Sequence, residues 1–270
     1  MTPLLSVRDV TITYPTEQGL LTAVERVSFA VREGERFVLL GPSGCGKSTL
    51  LKSVAGFVAP AAGAIELEGR PVRRPGPDRV VVFQEFDQLL PWRTVTGNVV
   101  YALRVARRLD AATAQAQAAR FIGLVGLQAF ADAYPHQLSG GMKQRVAIAH
   151  SLALDPRMLL LDEPFASLDA LTRRRMQDEL LTIWEATRKT LLFVTHSIEE
   201  AVYVSDQIVI LTRGPGRVSN AVRPQIARDG TSDEIRRSQG YLDAVEEIWG
   251  ELRGYVEQDM MAPQQTGVAS

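Results

Sequence analysis

The sequence predicts an α/β protein, with a mostly parallel sheet, an antiparallel β subdomain near the start of the chain and a helical subdomain inserted in its middle. Three observations predict it. Runs of consecutive apolar residues, Phe37-Val38-Leu39-Leu40, Val80-Val81-Val82-Phe83, Met158-Leu159-Leu160-Leu161 and Leu191-Leu192-Phe193-Val194, have the length and texture of strands buried on both faces. Helical stretches separate several of them, the alternation that parallel pairing needs. At the front, Leu4 to Tyr14 and Val24 to Val31 instead alternate apolar with polar residues, the period of strands with one wet face.

The length of 270 residues suits one large domain, or one domain with a subdomain. With 46% hydrophobic and 23% charged residues, no apolar run approaches the roughly 20 residues that cross a bilayer, so a membrane role has to come through a partner. Residues 1 to 9 lack a basic start, a long apolar stretch and a small-residue cleavage site, so nothing in them suggests export. One cysteine makes no internal disulfide and fits a reducing compartment, which favours the cytoplasmic side. A formal charge of -1 with acids and bases interspersed gives no field that would gather nucleic acid.

Val7, Val10, Ile12 and Tyr14 mark the first strand and Val27, Phe29 and Val31 the second, with Gly19 in the polar connection between them. Glu33-Gly34-Glu35 reads as a turn. A helix from Ser48 to Ala55 stops at Gly56. A strand from Ala64 to Glu68 is closed by Gly69, and Arg70 to Asp78, with three prolines and Gly76, is a loop. From about 87 to 153 the texture is alanine-rich and helical, including Val99 to Arg108, Ala111 to Leu124 and Met142 to Ala153. Strands return at 158–161, 191–195 and 207–212, with a helix from Leu171 to Thr187. Thr231 to Glu257 is a separate helical tail: Thr231 and Glu234 have capping-box spacing, and Ile235, Leu242, Val245, Trp249, Leu252 and Val256 form its apolar stripe. That stripe is expected to pack on its own domain or on a second copy. Residues 260–270 read as an unstructured tail.

Gly41-Pro42-Ser43-Gly44-Cys45-Gly46-Lys47-Ser48-Thr49 directly follows the first buried strand and carries the phosphate-loop pattern of two spaced glycines, Lys and a hydroxyl residue. Its glycines let backbone N–H groups converge on phosphate oxygens, Lys47 adds a charge, and Ser48 offers a hydroxyl to Mg²⁺. The strand 158–161 ends in Asp162-Glu163, where such a loop needs acids: Asp162 suits the Mg²⁺ shell and Glu163 a general base. Leu138-Ser139-Gly140-Gly141 opens a second helix. A Ser cap explains Ser139 but leaves the two glycines, which suit a second anion-accepting helix N-terminus.

Together these residues resemble the ATP-binding-cassette ATPases, over about residues 4 to 220. The resemblance rests on the loop 41–49, Gln84 after a strand, Leu138-Ser139-Gly140-Gly141, Asp162-Glu163, Ser167-Leu168-Asp169 and His196. It implies a P-loop NTPase core occupying 1–230, with a helical subdomain at about 87–153, followed by a helical extension at 231–259. It also implies a head-to-tail dimer of two copies around two ATP molecules, each held by one phosphate loop and the other copy's signature serine and glycines. Tyr14 would then stack on adenine, Gln84 would sense Mg²⁺ and the attacking water, Asp169 would bridge subunits and His196 would contact the γ-phosphate.

Each residue also has a plainer reading: Tyr14 a strand-end aromatic, Gln84 a surface loop residue, Asp169 a helix cap, His196 a histidine satisfied by backbone. His136 and His150 lack ligand-spaced neighbours and read as structural or surface residues. Arg173-Arg174-Arg175 reads as a solvated helix face. Cys45 reads as a variable loop position with no catalytic part, and a bulky group on its thiol is expected to exclude the phosphates.

Residues 84–95 with Arg213-Gly214-Pro215-Gly216-Arg217 and a short C-terminal helix resemble the nitrate, sulfonate and taurine importer branch. That resemblance implies a peripheral subunit at the cytoplasmic face of the membrane, working with an integral membrane permease and, indirectly, a solute-binding protein. The alternatives are an exporter's ATPase subunit and a soluble non-transport cassette. The apolar cluster Phe86, Leu89, Leu90, Pro91 and Trp92 is expected to form the groove that receives a permease helix, against the simpler reading that it packs the subdomain.

Overall fold

The computed structural model describes residues 2–17, 19–83 and 88–261, with side chains up to Arg253. Gln84 and Phe86 lie outside the described residues.

β1 (Leu5–Thr16) and β2 (Gly19–Val31) pair antiparallel, from Leu5 opposite Val31 to Thr16 opposite Gly19. Gly19 is therefore already in the ladder, whereas the sequence placed it in the connection. Leu20 and Leu21 near this tip are exposed, so no burial pattern marks the strand's start. β4 (Ala62–Leu67) pairs with the other edge of β1, and the two-residue β5 (Arg70–Pro71) occupies part of the expected loop.

The second sheet has the order β10-β9-β3-β8-β7-β6, formed by β3 (Arg36–Leu40), β6 (Arg79–Val82), β7 (Met158–Asp162), β8 (Thr190–Thr195), β9 (Gln207–Leu211) and β10 (Val218–Val222). It is parallel apart from β10, which runs antiparallel to β9 at the edge. Successive side chains on a strand point to opposite faces, and that alternation divides the molecule's two apolar cores. Phe37 and Leu39 of β3 enter a core with α1 (Lys47–Ala55) and the antiparallel sheet. Val38 and Leu40 enter the other.

That second core takes in α2 (Val95–Ala106), α3 (Ala111–Leu124), α4 (Gly140–Ala153), α5 (Ala170–Thr187) and α6 (Ile198–Val204). Among the described residues from 88 to 153 no strand interrupts the helices. α4 starts two residues earlier than the periodicity indicated, because Ser139 caps it and both glycines lie inside it.

The C-terminal helix is two helices, α7 (Ser232–Arg237) and α8 (Gln239–Met261). The expected capping box is present: Thr231 Oγ1 accepts from the Glu234 backbone, and Glu234 accepts from the Thr231 backbone. The expected apolar stripe is the buried one only in part, at Ile235, Leu252 and half-buried Val245. Ile235, Tyr241, Ala244, Ile248 and Leu252 are buried, whereas Leu242 and Trp249 are exposed. The break at Ser238 resets the helical phase, so Leu242 and Trp249 of a stripe continued from Ile235 fall on the exposed side of α8. The tail packs on its own domain through contacts of α8 with α6.

Candidate functional site

β3 lies in the interior of the sheet between β8 and β9, with all five residues buried, and it delivers the loop 41–46 to the sheet's C-terminal edge. Ligands of parallel sheets bind at that edge. Gly44 and Gly46 have φ of 78° and 92°, in the left-handed region that glycine tolerates best. Gly46 is required twice over, since a β-carbon there would sit 2.6 Å from Val24 Cγ2 and 2.7 Å from the Ala23 carbonyl oxygen. It also caps α1 without a side chain, so the first N–H groups of that helix point from Lys47, Ser48 and Thr49 toward the loop. Lys47 Nζ donates to the carbonyls of Gly41 and Pro42, at 2.8 and 2.9 Å, and is held over the loop. Ser43 and Gly44 form its exposed rim.

Cys45 corrects the sequence reading. Its side chain is 0% exposed and turns into the core beneath the loop, with Sγ 3.9 Å from Lys47 Nζ. Burial pushes the thiol up from its ordinary value, with Lys47 opposing. It is a packing residue and offers no accessible handle on the phosphates.

Strand order brings the acids to the loop. Ser48 Oγ donates to Asp162 Oδ1 at 2.7 Å, across 114 residues of sequence. Burial pushes the Asp162 carboxyl up, while the Ser48 hydrogen bond and the charges of Lys52 and Lys47 pull it down. Glu163 turns away from its neighbour because its φ is 45°, and its backbone N–H donates to the Val194 carbonyl at 3.0 Å. Its Oε2 lies 3.0 Å from Nδ1 of His196, which follows the end of β8. Two acids adjacent in sequence thus face different partners, a hydroxyl and an imidazole.

Among the described residues no group of three His, Cys, Asp or Glu side chains could hold a metal by itself. The oxygen pair Ser48 and Asp162 fits Mg²⁺, which takes one or two protein oxygens and shares the rest of its shell with phosphates and water.

The signature residues stand apart from this cluster. Ser139 Oγ accepts from the Met142 backbone as the cap of α4, and no hydrogen bond joins it to the phosphate loop among the described residues. Gly141 has a packing reason the sequence hid, since a β-carbon there would lie 3.1 Å from Thr172 Cγ2. Asp169 caps α5 by accepting from the backbones of Thr172 and Leu171, and hydrogen bonding, chiefly from Thr172, holds its carboxyl below the usual range. Tyr14 is half-buried against the core that contains α1. His136 is exposed and stacks on Tyr134, and half-buried His150 is pushed down by burial.

Arg173 is a correction: it is no solvated residue but donates to the carbonyls of Phe165 and Leu168, pinning the loop between Glu163 and Asp169. Arg174 and Arg175 are exposed as expected. Sequence reasoning missed Glu200, a buried carboxylate that lines one small cleft together with Glu163, Thr195 and His196. An acid one turn into an unrecognised helix left no signal.

In the apolar cluster, Leu89 is 3% exposed and belongs to the core, so for that residue the packing reading was right. Trp92 is 69% exposed. Arg93 lies over the Tyr101 ring at 4.7 Å beside it.

Comparison with known proteins agrees with this geometry. The family model described as ABC transporter matches residues 24–166. A nitrate import ATP-binding protein of Synechococcus elongatus is 43% identical over 244 residues, covering 88% of each chain. A taurine import ATP-binding protein of Rhizobium johnstonii is 45% identical over 251 residues, 91% of this chain and 95% of that one. Among solved structures, a dimeric ATP-binding cassette in a post-hydrolysis state with ADP and Pi superposes with a TM-score of 0.71 at 30% identity, over 81% of this chain and 98% of that one. With the phosphate loop, the paired acids and the histidine gathered at one sheet edge, and with these matches across its length, the chain belongs to the ABC transporter family, among its ATP-binding proteins.

Proposed function

We propose that this protein is the ATP-hydrolysing subunit of an importer for a small anion, and that residues 41–49, Asp162, Glu163 and His196 form its hydrolytic half-site. The observation that carries the reading is the pair of contacts Ser48–Asp162 and Glu163–His196, which gathers a cation-binding hydroxyl, two acids and an imidazole around one phosphate loop.

Backbone N–H groups of the loop and Lys47 bind the β and γ phosphates. Ser48 and Asp162, with Gln84, hold Mg²⁺, which when bound neutralises phosphate charge. Glu163 accepts a proton from the attacking water, and His196, fixed by Glu163, meets the γ-phosphate. Tyr14 stacks on the adenine. Ser139, Gly140 and Gly141 serve the phosphates of a second copy, in keeping with the lack of a hydrogen bond from Ser139 to the chain's own loop among the described residues, and Asp169 meets that copy across the interface. The solved cassette dimer with ADP and Pi supports this pairing.

In this reading residues 1–230 form the ATPase domain, with the helical subdomain at about 87–153 and the extension at 231–259. Among the described residues no helix is long and apolar enough to cross a membrane, so transport needs a separate permease, met at the cytoplasmic face through Trp92 and its neighbours. A solute-binding protein delivers the cargo. Similarity to nitrate and taurine import and bicarbonate transport ATP-binding proteins supports the anion class. The test is ATP hydrolysis by the assembled permease complex in liposomes. Stimulation by a binding protein loaded with nitrate, taurine or bicarbonate is expected, and a complex that hydrolyses ATP but responds to none of them refutes the cargo class.

A further inference from the structure

His196 lies between the end of β8 and the start of α6, a helix that cannot hold itself. α6 has only seven residues, about two turns, well below the length at which an isolated helix is stable. Ser197 caps its start, with Oγ accepting from the Glu200 backbone at 3.3 Å. Further anchors come from α5, where Asp178 Oδ1 accepts from Tyr203 Oη at 2.7 Å, and from the C-terminal segment. The Arg228 guanidinium donates to the carbonyls of Val202, Tyr203 and Ser205, closing the helix's last turn with one cation. Tyr241 Oη donates to the Glu199 carbonyl at 3.2 Å, and Ile248 and Leu252 share a core with Ile198, Ala201 and Val202.

Beneath α6 runs a relay of buried polar groups. Glu200, 5% exposed, accepts from Gln177 Nε2 at 3.0 Å. Gln177 Oε1 accepts in turn from Arg236 Nη2 at 2.6 Å, and the Arg236 guanidinium lies 3.6 Å over the Tyr203 ring. The relay has a direction. A carboxylate only accepts and a guanidinium only donates, so a group between them must donate at one end and accept at the other, which is what an amide does. Its inner end opens on the cleft that holds Glu163 and His196.

We propose that the segment from Arg228 to Leu252 is a positioning element for hydrolysis, and that Arg236, acting through Gln177 and Glu200, is a positioning residue for His196. The inference rests on the hydrolytic roles of Glu163 and His196 given above. Gln177→Glu keeps the side-chain shape but sets two carboxylates against each other under α6. The double variant Gln177→Glu/Glu200→Gln restores a donor facing an acceptor at both links and returns the net charge to that of the wild type. Arg236→Met removes the outer donor at a less buried position and keeps an apolar stem over Tyr203.

The experiment measures kcat and KM for ATP, with fluorescent-nucleotide affinity, in the full-length variants. A misplacement of about 1 Å costs up to ~10²-fold, so Gln177→Glu is expected to lose roughly ten- to hundredfold in kcat, with KM within about twofold of wild type. Arg236→Met should fall in the same direction, and the double variant should recover most of the rate. Wild-type kcat in both Gln177→Glu and Arg236→Met, or equal losses in kcat and nucleotide affinity, overturns the inference; so does a folded double variant with no recovery. A wild-type rate in Glu163→Gln would refute the site reading itself. A normal rate in Gln177→Glu beside an inactive Glu163→Gln refutes only the relay.

Discussion

Glu163→Gln is the sharpest test of the half-site, because the structure separates its chemical effect from its structural one. The glutamine amide is the same size as the carboxylate, and its carbonyl oxygen can keep the 3.0 Å contact with His196 Nδ1. What it loses is the capacity to take a proton from water. General-base contributions run to roughly 10²- to 10⁴-fold, which at about 1.36 kcal/mol per decade is about 3–5 kcal/mol on the barrier. The structural cost is far smaller. A hydrogen bond to a charged group exceeds a neutral one by about 1 kcal/mol, and the 53% side-chain exposure of His196 discounts that further. A chain of this size loses about 2–4 °C of Tm per kcal/mol, so Tm should fall by no more than a few degrees. Because Glu163 does not touch Lys47 or Ser48, ATP affinity should hold. The assays are steady-state ATPase, nucleotide binding and size-exclusion chromatography with ATP, where a long-lived ATP-bound dimer is expected. Turnover within about threefold of wild type would refute the role of Glu163, since it leaves under 1 kcal/mol for a general base.

Lys47→Ala should abolish ATP binding and turnover together, and unchanged turnover would remove Lys47 from the phosphate site. Mixing Ser139→Arg subunits with Lys47→Ala subunits should restore some ATPase, because one composite site of the heterodimer carries both lesions and the other neither; a mixture as inactive as each parent counts against sites shared between copies. Cys45 should resist maleimide in the folded chain, with or without ATP, and react after denaturation; native labelling at the rate of a free thiol contradicts its burial. Trp92→Ala should keep Tm and basal ATPase while losing co-purification with the permease, whereas Leu89→Asp buries an unpaired charge and should cost several kcal/mol of stability. Normal permease assembly in Trp92→Ala takes this surface out of the contact.

Local patterns carried most of the fold. The buried strands announced themselves as apolar runs, and Gly44 and Gly46 announced a backbone that other residues cannot follow. Asp162 and Glu163 were legible as a strand-end pair, but their separate partners were not, since the division depends on a left-handed turn at Glu163 and on strand order. α6 escaped because six of its seven residues are buried, so no polar face gives it a period. β10 escaped as a short edge strand. α8 misled because it carries large apolar residues on two sides, and only the break at Ser238 decides which side is buried. The orientation of Cys45 within its loop, and the turn of Arg173 back onto the 165–168 carbonyls, are tertiary facts with no periodic signature.

The placement of β3 has a consequence for synthesis. Its neighbours are β8 and β9, and Arg36 pairs with Leu191, more than 150 residues further along the chain. At roughly 5–20 residues per second a ribosome needs about 8–30 s to deliver those partners. Throughout that interval the apolar strand leading into the phosphate loop has both edges open, the state most prone to pair with another chain. The nascent protein is therefore most vulnerable to aggregation before β8 emerges. Slowing translation upstream of residue 190 should lower its soluble yield, and chaperones that shield extended apolar segments should raise it.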